Sequence, residues 1–268
     1  VIASDKVKVN KTIGKPSTKL RFKDNISFGG SLFKPPTTEI IELPIIYEDS
    51  FCLVLDKPSG IITHSKGSFS SEGSVASFAR NKLDPDYDPD QKNNRAGIVH
   101  RLDRGTSGVI IVAKSAKAQK YLSSQFAKRI AKKTYYALVS GKLAKSEAII
   151  NMPIERDPKH PAKFRPGPNG RSALSQYVVV ATNDKYSLLK VTPETGRTHQ
   201  IRVHLKAINH PVVGDIAYGG DPADRLMLHA SSLLINLPNS KPKTFSSPLP
   251  KEFLKFIKPT KLYSAYES

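Results

Sequence analysis

The sequence predicts an α+β fold, with strands outnumbering helices and not alternating regularly with them. Three observations carry that expectation. Apolar runs of strand length recur, such as Phe51-Cys52-Leu53-Val54-Leu55 and Val109-Ile110-Ile111-Val112-Ala113. Few windows repeat apolar residues at helical spacing; the clearest holds Ala118, Tyr121, Leu122, Phe126 and Ile130. Proline, glycine, asparagine and aspartate punctuate the runs, and no repeat of about 20–50 residues is visible.

Residues 1–35 read as a separate basic segment. Lys6, Lys8, Lys11, Lys15, Lys19, Arg21, Lys23 and Lys34 are balanced only by Asp5 and Asp24. Val7-Lys8-Val9-Asn10 alternates like a strand and ends on a turn residue, and residues 20–27 repeat the pattern. A small β-hairpin unit, too short to hold its own core, is expected there. Pro35-Pro36-Thr37-Thr38 reads as a linker.

From about residue 43 the chain is mixed. A strand over 51–56 stops at Pro58 and Gly60, and residues 74–83 suit a short helix. Residues 84–94 read as an exposed polar loop. Strands are expected over 97–100 and 108–114, on either side of a polar turn. Ser115 caps a helix through residue 130. Strands follow over 135–139 and 147–152, then a Pro-rich basic loop over 157–170. Residues 172–181 and 186–192 read as a hairpin around Asn183-Asp184, and 198–208 as a helix. A strand over 226–237 and a short helix over 251–257 complete the domain.

The 268 residues suit one large domain or two smaller ones. No window of about 18 apolar residues exists, so no membrane span is expected. The first residues do not resemble a secretory signal. Cys52, the only cysteine, can form neither an internal disulfide nor a cysteine-built metal site. Within its apolar run it is expected to be a buried thiol, which suits a reducing, cytoplasmic compartment. Charge says more about function. Lys plus Arg number 42 against 23 acidic residues, a formal net charge of +19. That excess favours a polyanion partner. Its spread along the chain, rather than on one amphipathic helix, favours nucleic acid over an acidic membrane surface.

The chemistry centres on His100-Arg101-Leu102-Asp103-Arg104-Gly105-Thr106-Ser107-Gly108. Arg101 and Arg104 flank Asp103, and opposite charge close by favours the ionised form of a carboxylate. Such a carboxylate can serve as nucleophile or base. An Arg-Asp pair that merely pins a turn is the alternative. The Thr-Ser-Gly turn that follows suits rigid presentation of a side chain. A second cluster is Glu194-Thr195-Gly196-Arg197-Thr198-His199-Gln200-Ile201-Arg202-Val203-His204, with Thr198 as expected helix cap and Arg202 one turn on. His199 and His204 are five apart, unlike the i,i+4 zinc pattern, and no metal site is expected. Lys133-Thr134-Tyr135-Tyr136 places two tyrosines on a strand, one expected to face the core and one the opposite side. There is no glycine-rich phosphate loop or nucleotide fingerprint. A glycoside hydrolase would need two paired carboxylates, and this site offers one.

Together these runs resemble the RluA-type pseudouridine synthases, which isomerise chosen uridines in large-subunit ribosomal RNA and some tRNAs. The resemblance covers most of residues 43–258. It includes Asp56-Lys57-Pro58-Ser59-Gly60, the His100 run, residues 133–141, residues 196–205, His210-Pro211-Val212-Val213-Gly214-Asp215 with Tyr218-Gly219, and Arg225-Leu226-Met227-Leu228-His229-Ala230.

The resemblance implies a long, mixed, mainly antiparallel sheet with helices and loops flanking a central cleft. It implies that Asp103 is the catalytic aspartate and that Arg202 pairs with it. Tyr135 would stack on the target base and is a candidate for removing the C5 proton. An ordinary phenol has a pKa of about 10, so cationic surroundings or a water would have to assist. Arg101 would help fill the space left by a flipped nucleotide, and His100, Arg104, Arg197 and His199 would lie against RNA. No cofactor or metal is implied, and a monomer is expected. Residues 1–35 resemble the end of a small S4-like RNA-binding domain shared with a ribosomal protein, whose leading helices would lie before Val1. Residues 259–268 read as a tail. Large-subunit rRNA is the expected substrate. A tRNA-modifying relative and a non-catalytic ribosome-assembly protein are the alternatives.

Overall fold

A computed structural model of the chain describes residues 7–15, 17–29, 39–65, 71–87, 97–238 and 240–256. It divides into two compact units, Val1–Thr37 and Thr38–Ser268. The expected linker at 35–38, the loop at 88–94 and the tail at 259–268 lie outside the described residues. Among those described, no helix is long and apolar enough to cross a membrane.

In the first unit, β1 (Val7–Val9) pairs antiparallel with both β2 (Thr12–Ile13) and β3 (Ile26–Phe28). The pattern at 20–27 becomes a strand only from Ile26. Asp24 instead accepts from the Asn10 amide and the Arg21 N–H, closing a turn. Phe22 is 94% exposed and Ile13, Leu20 and Ile26 are also exposed, so this unit buries little apolar surface of its own.

The second unit is built on one sheet. Its strands are β4 (Ile45–Glu48), β5 (Cys52–Lys57), β6 (Ser107–Ala113), β7 (Lys132–Ser140), β8 (Glu147–Asn151), β11 (Leu174–Thr182), β12 (Tyr186–Pro193), β13 (Leu228–Ile235) and β14 (Lys243–Ser246). They run in the order β4-β5-β6-β13-β7-β12-β11-β8, with β14 also on β13. Only the β13–β6 pair is parallel, and it spans just His229–Ser107 and Ala230–Gly108. Further along, β14 takes the same edge of β13. Gly108 makes the crossing possible. Its φ is +109°, and a Cβ there would lie 2.1 Å from the Ala230 carbonyl oxygen.

The apolar runs on β5 and β6 are continuous because both faces are covered. Leu53, Leu55, Ile110 and Val112 join the larger core. Cys52, Val54, Val109, Ile111 and Ala113 join a second core, under α2 (Ala116–Ala127). Each fully buried Leu or Ile contributes roughly 1.5–3 kcal/mol. Cys52 is indeed a buried thiol, and burial pushes its pKa up to about 12.

Ser115 caps α2 by accepting from the Ala118 N–H. The helix ends at Ala127, short of residue 130. Arg129 adopts φ 59° and turns the chain toward β7, which leaves Ile130 exposed. Ser74 caps α1 (Val75–Arg80). Residues 97–100 do not form a strand; only Ile98 bridges to Val112. The reason is local: His100 Nε2 accepts from the Ile111 N–H, filling the place a ladder carbonyl would take. Within the expected basic loop at 157–170, only Phe164–Pro166 is a strand, β10, which pairs with β9 (Ile154–Arg156) so that 157–163 are the turn of a hairpin. The final helix is a 3-10 turn over Lys251–Lys255, which buries Phe253.

Candidate active site

Asp103 sits on a turn held by backbone contacts from residues 57–63. The Thr63 hydroxyl donates to the Leu102 carbonyl at 2.7 Å and accepts from the Leu102 N–H at 3.1 Å. The Ser59 hydroxyl donates to the Gly105 carbonyl, and the Gly60 N–H to the Arg104 carbonyl. Lys57 is fully buried. Its ammonium donates to the carbonyls of Pro58 at 2.8 Å, Ile61 at 2.7 Å and Arg104 at 3.2 Å. Burial pushes its pKa down to about 7, the Arg225 guanidinium adds to the push, and Asp103 opposes it. Lys57→Met would strip three carbonyls of a donor. It is expected to cost at least about 3 kcal/mol, read as a lower midpoint in urea unfolding.

The ion pair on Asp103 comes from neither sequence neighbour. Arg104 turns away and grips Glu72 with two hydrogen bonds. Arg101 is exposed and borders both hollows around Asp103. The partner is Arg202 on α3 (Gln200–Ala207), whose Nη1 donates to Asp103 Oδ2 at 3.2 Å. Arg202 is itself aimed by Asp215. Its Nε donates to Asp215 Oδ2 at 2.6 Å and its Nη2 to Asp215 Oδ1 at 2.8 Å. This forked pair is nearly closed to solvent, with side-chain exposures of 11% and 1%. The Arg202 guanidinium also lies 4.9 Å from the centre of the Tyr218 ring. Burial opposes its charge, but Asp215 and Asp103 hold its pKa above the ordinary value.

Thr198 does not cap α3. His199 takes the cap position in the left-handed region, at φ 56° and ψ 18°, without a side-chain cap bond. The entry turn is held by Gln200 instead, whose Oε1 accepts from the Thr195 hydroxyl and the Arg197 N–H. His204 is buried between the Ser175 hydroxyl and the Met152 carbonyl and is a packing residue. His199 is not: its Nε2 lies 3.9 Å from Asp103 Oδ2. His100 stacks on Phe126 at 4.5 Å, and burial pushes its pKa down to about 3, so it stays neutral.

Asp103, with a side chain 16% exposed, stands between two hollows. One, of about 470 Å³, is lined by Tyr135, Lys133, Arg197, His199, Arg202 and Leu228, among others. Its volume suits a nucleotide. The other, of about 670 Å³, is bordered by Thr63, Glu72, Arg104, Asp215 and Ile216. Tyr135 and Tyr136 are both buried, at 9% and 6% exposure, because β7 is central and covered on both faces. The cationic surroundings expected to ease Tyr135 ionisation do not act that way. Burial, reinforced by the Asp103 charge, pushes its pKa above the ordinary value, so it is a neutral phenol. Lys133 nearby is pushed down to about 8 by burial. Among the described residues, no three His, Cys, Asp or Glu side chains gather at metal-binding separation.

Sequence reasoning missed Asp215, Tyr218, Thr63 and the role of Lys57. Asp215 and Tyr218 stood in quoted runs, yet no spacing rule ties a residue at 215 to one at 202 and another at 103.

Comparisons with known proteins place the chain in a family. A family model described as RNA pseudouridylate synthase matches residues 52–207. An uncharacterized RNA pseudouridine synthase of Bacillus subtilis, YhcT, is 40% identical over 196 residues, 72% of this chain and 63% of its own length. Ribosomal large subunit pseudouridine synthase D of Borreliella burgdorferi is 35% identical over 257 residues, 94% of this chain and 78% of its own. The dual-specificity RNA pseudouridine synthase RluA of Vibrio cholerae is 37% identical over 213 residues, 78% of this chain and 82% of its own. The chain thus spans less than two thirds of the Bacillus relative. A solved structure, human RNA pseudouridylate synthase domain containing 1, superposes with a TM-score of 0.67 at 26% identity, over 84% of this chain and 94% of that one. With a family match over more than half its length and relatives this similar across most of it, the chain belongs to the RNA pseudouridylate synthase family.

Proposed function

We propose that this protein converts uridine to pseudouridine in RNA, most directly in large-subunit ribosomal RNA. The observation that carries the reading is Asp103, held on a pinned turn by an arginine that Asp215 aims, at the wall of a nucleotide-sized hollow. The +19 charge supplies salt-dependent affinity for phosphates. A paired or stacked uridine has to be flipped out before Asp103 can reach its ribose.

Asp103 then attacks C1′, or takes the 2′ proton to give a glycal; either route breaks the N1–C1′ bond and frees the uracil with its electron pair. The ring turns and C5 bonds to C1′, displacing the Asp103 carboxylate in the first route or with Asp103 returning the proton to C2′ in the second; the C5 proton then leaves and N1 takes one up. Arg202 orients the carboxylate throughout. Tyr135, a neutral phenol, packs on the base and accepts the C5 proton only while passing its own on. Arg101 and Arg197 contact the RNA, while His199 faces the Asp103 carboxylate. Arg104, committed to Glu72, and His100, committed to the Ile111 backbone, serve the scaffold. The 43–258 region is the catalytic domain, 1–35 an accessory RNA-binding segment and 259–268 a tail. The protein acts as a cytoplasmic monomer without a cofactor.

The test is tritium release from RNA labelled at uridine C5, with large-subunit rRNA compared against bulk tRNA. Release from rRNA supports the full reading. Release from tRNA alone moves the substrate. Tight binding without release points to a non-catalytic assembly role. Tyr135→Phe keeps the ring and removes the relay. It is expected to slow release by ~10²-fold or more, with RNA affinity within a few-fold. A wild-type rate would reduce Tyr135 to packing.

A further inference from the structure

A chain of hydrogen bonds runs from the β9–β10 hairpin to His199, which faces Asp103. The Phe164 N–H donates to the Tyr218 hydroxyl oxygen at 2.9 Å. A backbone N–H can only donate, so the Tyr218 proton has to go elsewhere. The hydroxyl is buried, with the residue 8% exposed, and His199 Nδ1 lies 2.9 Å away. If Tyr218 donates there, Nδ1 is an acceptor and the ring proton sits on Nε2. That nitrogen faces Asp103 Oδ2 at 3.9 Å.

We propose that Tyr218 locks His199 as its Nε2–H tautomer, making His199 a positioning residue that aims an N–H at the Asp103 carboxylate beside Arg202. The proposal rests on the pseudouridine synthase reading. The separation is longer than a hydrogen bond, and it tightens, or is bridged by a hydroxyl, once a ribose enters. Two further observations support the assignment. His199 holds a left-handed backbone, a conformation uncommon for a non-glycine residue. Its ring is also wedged edge-on between Phe164 at 5.5 Å and Tyr218 at 5.7 Å, which leaves it little freedom to flip.

The charged and titratable groups facing the ring are Asp103 and Arg101 from the turn, Arg202 from α3, and Asp215 and Tyr218 from the following turn. Burial lowers the imidazole pKa, with Asp103 opposing and Arg202 adding, so the ring is neutral near pH 7 and its tautomer matters. In this arrangement, the hairpin that carries Arg156, Lys159 and Lys163 is joined to the reacting carboxylate through two side chains.

Nitrogen-15 imidazole spectra of the full chain test the relay without any turnover. The wild type is expected to show His199 protonated at Nε2, and Tyr218→Phe a mixture of tautomers. An Nδ1–H pattern in the wild type overturns the proposal. Kinetics test the role. Asn tolerates the left-handed backbone but places its amide at the Nδ1 position. His199→Asn is therefore expected to lower kcat ~10- to 100-fold with KM within about threefold. Gln reaches the Nε2 position, and His199→Gln should recover at least about threefold over the Asn variant. A wild-type kcat in His199→Asn overturns the role. No turnover by the wild type on any RNA overturns the reaction itself, while the spectra still judge the tautomer.

Discussion

Asp103→Asn is expected to abolish pseudouridine formation while leaving the protein folded and RNA bound. The amide keeps the size and one oxygen to accept from Arg202 Nη1, so the turn pinned by Lys57, Ser59 and Thr63 loses no backbone contact. What it loses is the anionic oxygen able to attack C1′ or take the 2′ proton. A loss of ~10³-fold or more, about 4 kcal/mol of transition-state stabilisation, is expected in C5 tritium release. Filter binding should give an RNA affinity within a few-fold of wild type. Normal turnover by the variant would sink the assignment of Asp103, and with it the proposed chemistry. Lost binding together with lost turnover would instead mean that the carboxylate holds the cleft open.

Arg202→Met should do more damage to the fold than any other single change at the site. It removes the fork that neutralises Asp215, a side chain only 1% exposed, and frees Asp103 from its partner. Stranding a buried carboxylate costs roughly 3–5 kcal/mol. Thermal unfolding of the variant should show a clear drop in midpoint, and turnover should vanish with the orientation of Asp103. The double variant Arg202→Met with Asp215→Asn separates the two effects. Removing the stranded charge should recover much of the stability and none of the activity. A single variant as stable as wild type would mean that solvent reaches Asp215 freely, against its burial. Arg202→Lys keeps the charge without the fork, and it should be intermediate in stability and poor in turnover.

Much of the local architecture was legible in the chain. The apolar run at 109–113 became β6, and Ser115 capped α2, because short-range periodicity and capping chemistry act within a few residues. The errors fell where side chains or cross-strand pairing satisfied backbone groups in ways the local pattern does not show. Residues 97–100 look like a strand, but the His100 ring satisfies the Ile111 N–H and ends the ladder. Thr198 looks like a cap, but Gln200 holds that turn by reaching Thr195 and Arg197. Residues 157–170 look like a loop because prolines and lysines dominate them, yet Phe164 and Arg156 pair across a hairpin.

The sequence by itself determined the fold class, the net positive charge, the lone buried thiol and the aspartate around which the site is arranged, since each depends on residue type and near-neighbour spacing. Its run from His100 to Gly108 pointed to Asp103, but pointed equally to Arg101 and Arg104 as that residue's electrostatic partners. The family resemblance named Arg202 instead, and the tertiary structure supplied the physical reason. Arg104 lies closer to Glu72 in space, and Arg202, 99 residues along the chain, is brought to Asp103 by the packing of α3 and aimed by Asp215. Coulomb attraction and hydrogen bonding depend on distance and direction, which the fold sets and adjacency along the chain does not. Tyr135 shows the same division. Its place on a strand was readable, whereas its neutral, buried phenol beside a carboxylate follows from the neighbours that the fold supplies.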